Sequence, residues 1–183
     1  MSSEERAVKK DIKIAISGRS GCGNTTVSRM IADCLNLHFV NFTFRTLAKE
    51  HEMEMEKVLE LAMTDDSWDI EVDKRQVALA REEGGCVLGS RLAIWMLEEA
   101  DLKVYLNASA KVRVQRIINR EGGDFEKVAA FTAQRDKQDH ERYLRIYNID
   151  TDDYKFVDLF IETDEISPQQ IVDMIVEKAR EIE

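Results

Sequence analysis

Lys13-Ile14-Ala15-Ile16-Ser17-Gly18-Arg19-Ser20-Gly21-Cys22-Gly23-Asn24-Thr25-Thr26 is the stretch that decides the fold. Its first five residues form a short apolar run that stops at glycine, as a buried parallel strand does. After the turn, Val27, Met30, Ile31 and Cys34 recur at helical spacing through Leu35. Between them, Gly18, Gly21 and Gly23 let the chain turn tightly and curl its amides around an anion. The helix N-terminus adds favourable electrostatics, and Thr25 offers a hydroxyl to Mg²⁺. A strand, this loop and a helix are the setting that a G-x-x-x-x-G-K-[ST] phosphate-binding loop requires. One position departs from the pattern, because Asn24 stands where the motif has lysine. A lysine there bridges the β- and γ-phosphates, whereas asparagine donates hydrogen bonds without charge. Arg19 inside the loop, or an arginine from a closing lid, is expected to supply the missing charge.

Outward from the loop, short strands and helices alternate. Leu37 to Val40 reads as a strand and Phe44 to Met63 as helical. Ser67 or Asp69 is expected to cap a helix running through Arg81, with Gly84-Gly85 beyond it. Cys86-Val87-Leu88 is a strand, Leu92 to Leu97 a helix and Leu102 to Leu106 a strand. A helix opens at Ser109, Gly122-Gly123 breaks the pattern, and Phe125 to Tyr147 is a long amphipathic helix. Phe156 to Ile161 is the last strand. Ser167-Pro168 opens the last helix, with serine as cap and proline at its first position. This alternation predicts an α/β fold of three layers, a five-stranded parallel sheet with helices on both faces.

At 183 residues the chain suits one domain. No run of about 18 apolar residues exists, so no membrane span is expected. Met1 to Arg6 is polar and lacks the apolar stretch of a secretory signal, which predicts a cytoplasmic protein. The formal net charge of −10 argues against nucleic-acid polymers as partners. The segment from Lys111 to Arg145 is nevertheless locally basic, with nine Lys or Arg against six Asp or Glu. That balance suits a small anion or a solvated helix face.

Cys22, Cys34 and Cys86 show no C-x-x-C spacing, so neither a disulfide framework nor a zinc site is expected. Cys34 and Cys86 read as buried apolar residues. For Cys22, inside the loop, helix-end amides could lower the thiol pKa, but a redox role is the lesser reading. His38, His51 and His140 show no metal-ligand spacing, and Met53, Met55 and Met63 read as core.

Several segments beyond the loop occur together in one family. They are Phe44-Arg45-Thr46-Leu47-Ala48, Asp69 to Arg75, Gly89-Ser90-Arg91 to Met96, Arg116 to Gly122 and Arg135 to Tyr143. In these motifs the chain resembles the cytidylate kinases, especially the short form typical of archaea and some bacteria, from about Lys13 to the last helix. The resemblance implies a P-loop NTPase-type fold and transfer of the γ-phosphate of ATP to CMP or dCMP with Mg²⁺. It implies one domain over 1–183, with an acceptor-binding segment at about 42–82 and a lid at about 111–145, in a monomer.

By the same resemblance, residues Gly18 through Thr26 (Gly18, Arg19, Ser20, Gly21, Cys22, Gly23, Asn24, Thr25 and Thr26) hold ATP. Arg45 and Arg91 hold the acceptor's phosphate. Arg135 and Asp139 recognise the cytosine, and Arg142 completes that motif. Arg116 and Arg120 fold over the transferring phosphates and join Arg19 and Asn24 as the catalytic set, with Thr25 on the metal. The spacing agrees, since Arg135, Asp139 and Arg142 share a helix face and Arg116 and Arg120 are an i, i+4 pair beside flexible glycines. Relatives carry an acid before Arg91 where this chain has Val87-Leu88-Gly89-Ser90, so Ser90 is left to hold a Mg²⁺-bound water. Two alternatives stay open: a kinase for UMP, AMP or a sugar-like alcohol, and a nucleotide-binding relative that no longer turns over.

Overall fold

The computed structural model describes residues 7–82 and 84–182. The polar stretch Met1 to Arg6 lies outside the described residues, as do Glu83 and Glu183. In chain order the elements are β1 (Lys13–Ser17), α1 (Asn24–Leu35), β2 (His38–Val40), α2 (Phe44–Glu50), α3 (Met55–Ala62) and α4 (Ser67–Ala80). There follow β3 (Cys86–Gly89), α5 (Ala93–Met96), β4 (Leu102–Asn107), α6 (Ala110–Glu121), α7 (Phe125–Tyr147), β5 (Leu159–Glu162) and α8 (Pro168–Ala179).

The five strands are all parallel, in the order β2-β3-β1-β4-β5. Ile14 on β1 sits between Val87 of β3 and Leu102 of β4, so the phosphate-loop strand is central. Sealing both its faces produces two cores. On one, Ile14 and Ile16 meet Val27 and Ile31 of α1 and Ile171 and Ile175 of α8. On the other, Ala15 and Leu88 meet Val77 of α4 and Ile94 and Leu97 of α5. Each such aliphatic side chain contributes about 1.5–3 kcal/mol by leaving water. A third small cluster, Phe42, Leu47 and Val72, ties α2 to α4 beyond the sheet. The chain leaves β1 in one direction across the sheet and β3 in the other. A crevice therefore opens at the C-terminal ends of these neighbours, where open α/β sheets bind ligands.

The caps follow the local chemistry. Ser109 accepts from the Val112 N–H at 3.3 Å, and Ser167 forms a full capping box with Gln170 ahead of Pro168. Elsewhere the structure corrects the expectations. The helical stretch from Phe44 to Met63 is two helices, broken where Glu52 takes φ 55° and the Met53 N–H turns back to Ala48 O. Neither Ser67 nor Asp69 caps α4, because the Asp65 carboxylate takes the Ser67 N–H at 2.9 Å. The last strand begins at Leu159 because residues 154–157 form a turn that leans Phe156 on Trp95. Cys34 faces solvent on α1, and Met63 is 84 % exposed rather than core. Among the described residues, no helix is long and apolar enough to cross a membrane.

Candidate nucleotide cleft

A cleft of about 1300 Å³ runs from the loop Gly18–Thr26 past Ser90 and Arg91 to α4 and α7. At the loop end the backbone is held open by glycine. Gly21 takes φ 86°, and a Cβ there would stand 2.8 Å from the Arg113 carbonyl, so α6 packs directly on the loop. Gly89 is needed for a similar reason, since its Cβ would fall 2.4 Å from Ser28 Oγ and 2.9 Å from Asn24 Oδ1.

Asn24, in the lysine's position, turns away from the loop's anion-binding face. Its amide group donates to the Ile16 carbonyl at 3.0 Å and the Ser90 carbonyl at 3.2 Å, and its Oδ1 accepts from Ser28 Oγ at 2.9 Å. It thereby laces the ends of β1 and β3 together. Two arginines of α6 grip the other side of the loop. Arg113, 5 % exposed, donates to the Ser20 carbonyl at 3.0 Å and holds Asp136 of α7 with two N–H groups. Arg116 donates to the Cys22 carbonyl and to both the hydroxyl and carbonyl of Thr163. Cys22 itself is buried, and burial pushes its thiol up, against the lowering by helix-end amides on which a redox role would depend.

The remaining loop cations are loosely held. Arg19 pairs with Asp152 at 2.5 Å and Arg120 with Glu121 at 2.5 Å, all four side chains being well exposed. Thr25 and Thr26 lie open at the first turn of α1. Ser20, Thr25, Thr26 and Ser90 bring hydroxyls to this end, and the carboxylates lining the cleft, Asp66, Asp69, Asp73 and Asp139, stand with the α4 and α7 wall. A Mg²⁺ arriving on nucleotide phosphates keeps most of its waters, so one hydroxyl ligand is a fitting donor set.

At the other end, Arg91 and Arg142 donate to the two oxygens of Asp139. Arg135 stands beside Arg91 with no hydrogen bond or ion pair among the described residues. Lost hydration and then the Arg91 charge push its pKa down. Two crowded guanidinium groups on one wall make a natural site for a phosphate. Arg45 is exposed on the first turn of α2, next to Thr43 and Phe44 of the cleft lining, and does not itself line the cleft.

Three residues that line or support this site carry no site role in the sequence reading. Arg113 was hidden among solvated charges, although Arg113, Arg116 and Arg120 fall at i, i+3 and i+7. Asp69 and Asp73 share the cleft-facing stripe of α4 with Val72 and Gln76. Burial raises the Asp73 carboxyl to about 6, against the hydroxyl that Tyr147 donates to it at 2.8 Å. Burial likewise pushes Asp69 up.

The profile of the cytidylate kinase-like family matches residues 13–165. Cytidylate kinase 2 of Borreliella burgdorferi is 46% identical over 168 residues, covering 90% of this chain and 93% of that one. The cytidylate kinase of Pyrococcus horikoshii is 39% identical over 165 residues, covering 89% and 85%. Shikimate kinase from Bacteroides thetaiotaomicron superposes with a TM-score of 0.60 at 16% identity over 93% of this chain and 96% of that one, a likeness of fold alone. Profile, relatives and the five-stranded phosphate-loop architecture agree, and the chain belongs to the cytidylate kinase-like family.

Proposed function

We propose that the chain transfers the γ-phosphate of ATP to CMP or dCMP, giving the diphosphate, with Mg²⁺. The observation that carries this reading is one continuous cleft with a phosphate loop at one end and Arg91, Arg135, Asp139 and Arg142 at the other. In-line phosphoryl transfer requires two nucleotides to meet phosphate to phosphate, and alignment with charge neutralisation supplies most of the catalysis.

The loop amides cradle the donor phosphates, with the donor base toward Ile166 and Pro168 on the same wall. Thr25 would hold the Mg²⁺, which would supply charge neutralisation on the phosphates. Arg91 and Arg135 take the acceptor phosphate, while Arg142 and the α4 wall face its nucleoside. Segment 42–82 is the acceptor arm and 111–145 the lid of a single domain. The protein is a cytoplasmic monomer that works on small nucleotides.

Asn24 does not replace the lysine, because its donors are committed to Ile16 and Ser90. Arg19 and Arg120 replace it. Their exposed ion pairs hold them by about 0–1 kcal/mol, little enough for a phosphate to draw them off. Arg113 and Arg116 keep the loop's shape instead of touching phosphate.

A coupled diphosphate-release assay with MgATP, offering CMP, dCMP, UMP and AMP in turn, tests the reading. Turnover of CMP or dCMP on the order of 1–100 s⁻¹ is expected, as for kinases generally. Nucleotide-induced thermal stabilisation without transfer to any acceptor would overturn it. Preferential turnover of UMP or AMP would move the chain to another acceptor.

A further inference from the structure

The acids of the cleft differ in what already holds them. Asp139 has one oxygen on Arg91 and the other on Arg142. Asp73 receives the Tyr147 hydroxyl, and Asp66 receives Arg145. Asp69 has no hydrogen bond among the described residues. It is 7 % exposed, yet it lines the cleft, and its carboxylate oxygens are not sealed from that space. The charges of Asp66, Asp139 and Arg91 reach it, and its ion-pair partner among the described residues is Arg142, whose Nε lies 3.4 Å from Asp69 Oδ1. That N–H is itself buried and makes no hydrogen bond.

A carboxylate that lines a cleft with no N–H or O–H from the protein donating to it keeps its hydrogen-bonding capacity for whatever enters that cleft. Such groups in a binding wall are where a ligand's donors are received. Asp69 is fixed by α4 on one side and the Arg142 stem on the other, so it presents a rigid acceptor. Between the phosphate arginines and this acceptor there is one open cleft, so an acceptor anchored by phosphate turns its base toward α4.

We propose that Asp69 is the specificity-determining carboxylate of the acceptor site, accepting a hydrogen bond from the exocyclic amino group of a pyrimidine base, with Arg142 as its positioning residue. This deepens the CMP reading above and rests on it for the identity of the acceptor. A pyrimidine bearing a carbonyl at that position sets acceptor against acceptor and is rejected. Asp139, which resemblance assigns to the base, keeps Arg91 and Arg142 in register instead.

The test is equilibrium binding of CMP and UMP, by titration calorimetry without donor, to the wild type and to Asp69→Asn and Asp139→Asn. Wild type is expected to favour CMP by at least about tenfold. Asp69→Asn should bring that ratio to near unity, because an amide can donate to the uracil carbonyl. Asp139→Asn should weaken both nucleotides together and leave the ratio. If Asp69→Asn does not fold, as read by thermal melting, Asp69→Glu keeps the charge beside Arg142, displaces the oxygens, and should also lose the ratio.

A wild type without preference overturns the proposal. So does a variant that keeps the wild-type ratio within about twofold, since a structural ion pair would weaken both nucleotides alike. Transfer from ATP to CMP is scored separately. Loss of the ratio with no wild-type transfer sinks the kinase reading alone, and transfer with the ratio intact in Asp69→Asn sinks this one alone.

Discussion

The two ends of the cleft use the same residue types in opposite ways. Around the phosphate loop the polar side chains are committed to the protein's own carbonyls. Asn24 holds Ile16 and Ser90, Arg113 holds Ser20, and Arg116 holds Cys22 and Thr163. Along α4 and α7 the charges have capacity left, in Arg135, Asp69 and the Arg142 Nε–H. The buried side chains at the loop thus keep its shape and leave its amides, with Arg19, Arg120 and Thr25, for the phosphates in the proposed reading. On the acceptor side of that reading the buried side chains themselves are left for the ligand. Changes at the loop end should therefore cost stability first, and changes at the acceptor end should cost selectivity first.

The largest effect that would break this division lies at Arg113. Its side chain is 6 % exposed and that of its partner Asp136 15 %. Arg113→Ala leaves a buried carboxylate unpaired, which costs about 3–5 kcal/mol. Urea unfolding should show that loss, and ATP affinity should fall with it because the Ser20 turn loses its donor. A variant that unfolds like the wild type but binds CMP poorly would reassign Arg113 to the ligand and erase the contrast.

Asn24 gives a smaller and sharper version of the same test. Asn24→Ala removes two hydrogen bonds between the ends of β1 and β3 and leaves Ser28 Oγ without its acceptor. The expected loss in denaturant unfolding is about 1–3 kcal/mol. If Asn24 serves phosphate instead, stability will hold and turnover alone will drop.

The contrast also explains what could be read from the sequence. Local signals were legible: the strand, loop and helix from Lys13 to Leu35, the Ser109 and Ser167 caps, and the α7 span Phe125–Tyr147 are each written within a few residues. Signals that depend on tertiary contact were not. No glycine or proline marks the break at Glu52, where a non-glycine residue takes φ 55°. An exposed Cys34 and a 7 %-exposed Asp69 invert their types' usual burial, and the fold alone decides that. The motif spacing singled out Asn24 and Arg116 but could not tell that their donors turn to the protein's own Ile16, Ser90, Cys22 and Thr163. Arg45 carried the family's pattern, yet α2 leaves it outside the cleft.

The mildest prediction concerns Asp73, at the edge of the acceptor wall. Burial raises its carboxyl to about 6; Asp69 adds to the rise, while the Tyr147 hydroxyl and Arg142 oppose it. Its folded pKa therefore lies above the unfolded value near 3.8, so between these values the native chain binds more protons than the unfolded one. The contribution is favourable below about pH 4 and is lost as pH rises through about 6. Asp73→Asn cannot ionise and still accepts from Tyr147. It should match the wild type near pH 4 and exceed it at pH 7, by on the order of 1 kcal/mol after allowing for partial solvent access. Unfolding free energies at the two pH values read the difference directly. Parallel pH profiles for the two proteins would mean that the α4 stripe is hydrated at Asp73, and that unmet capacity on this wall is confined to Asp69 and the arginines.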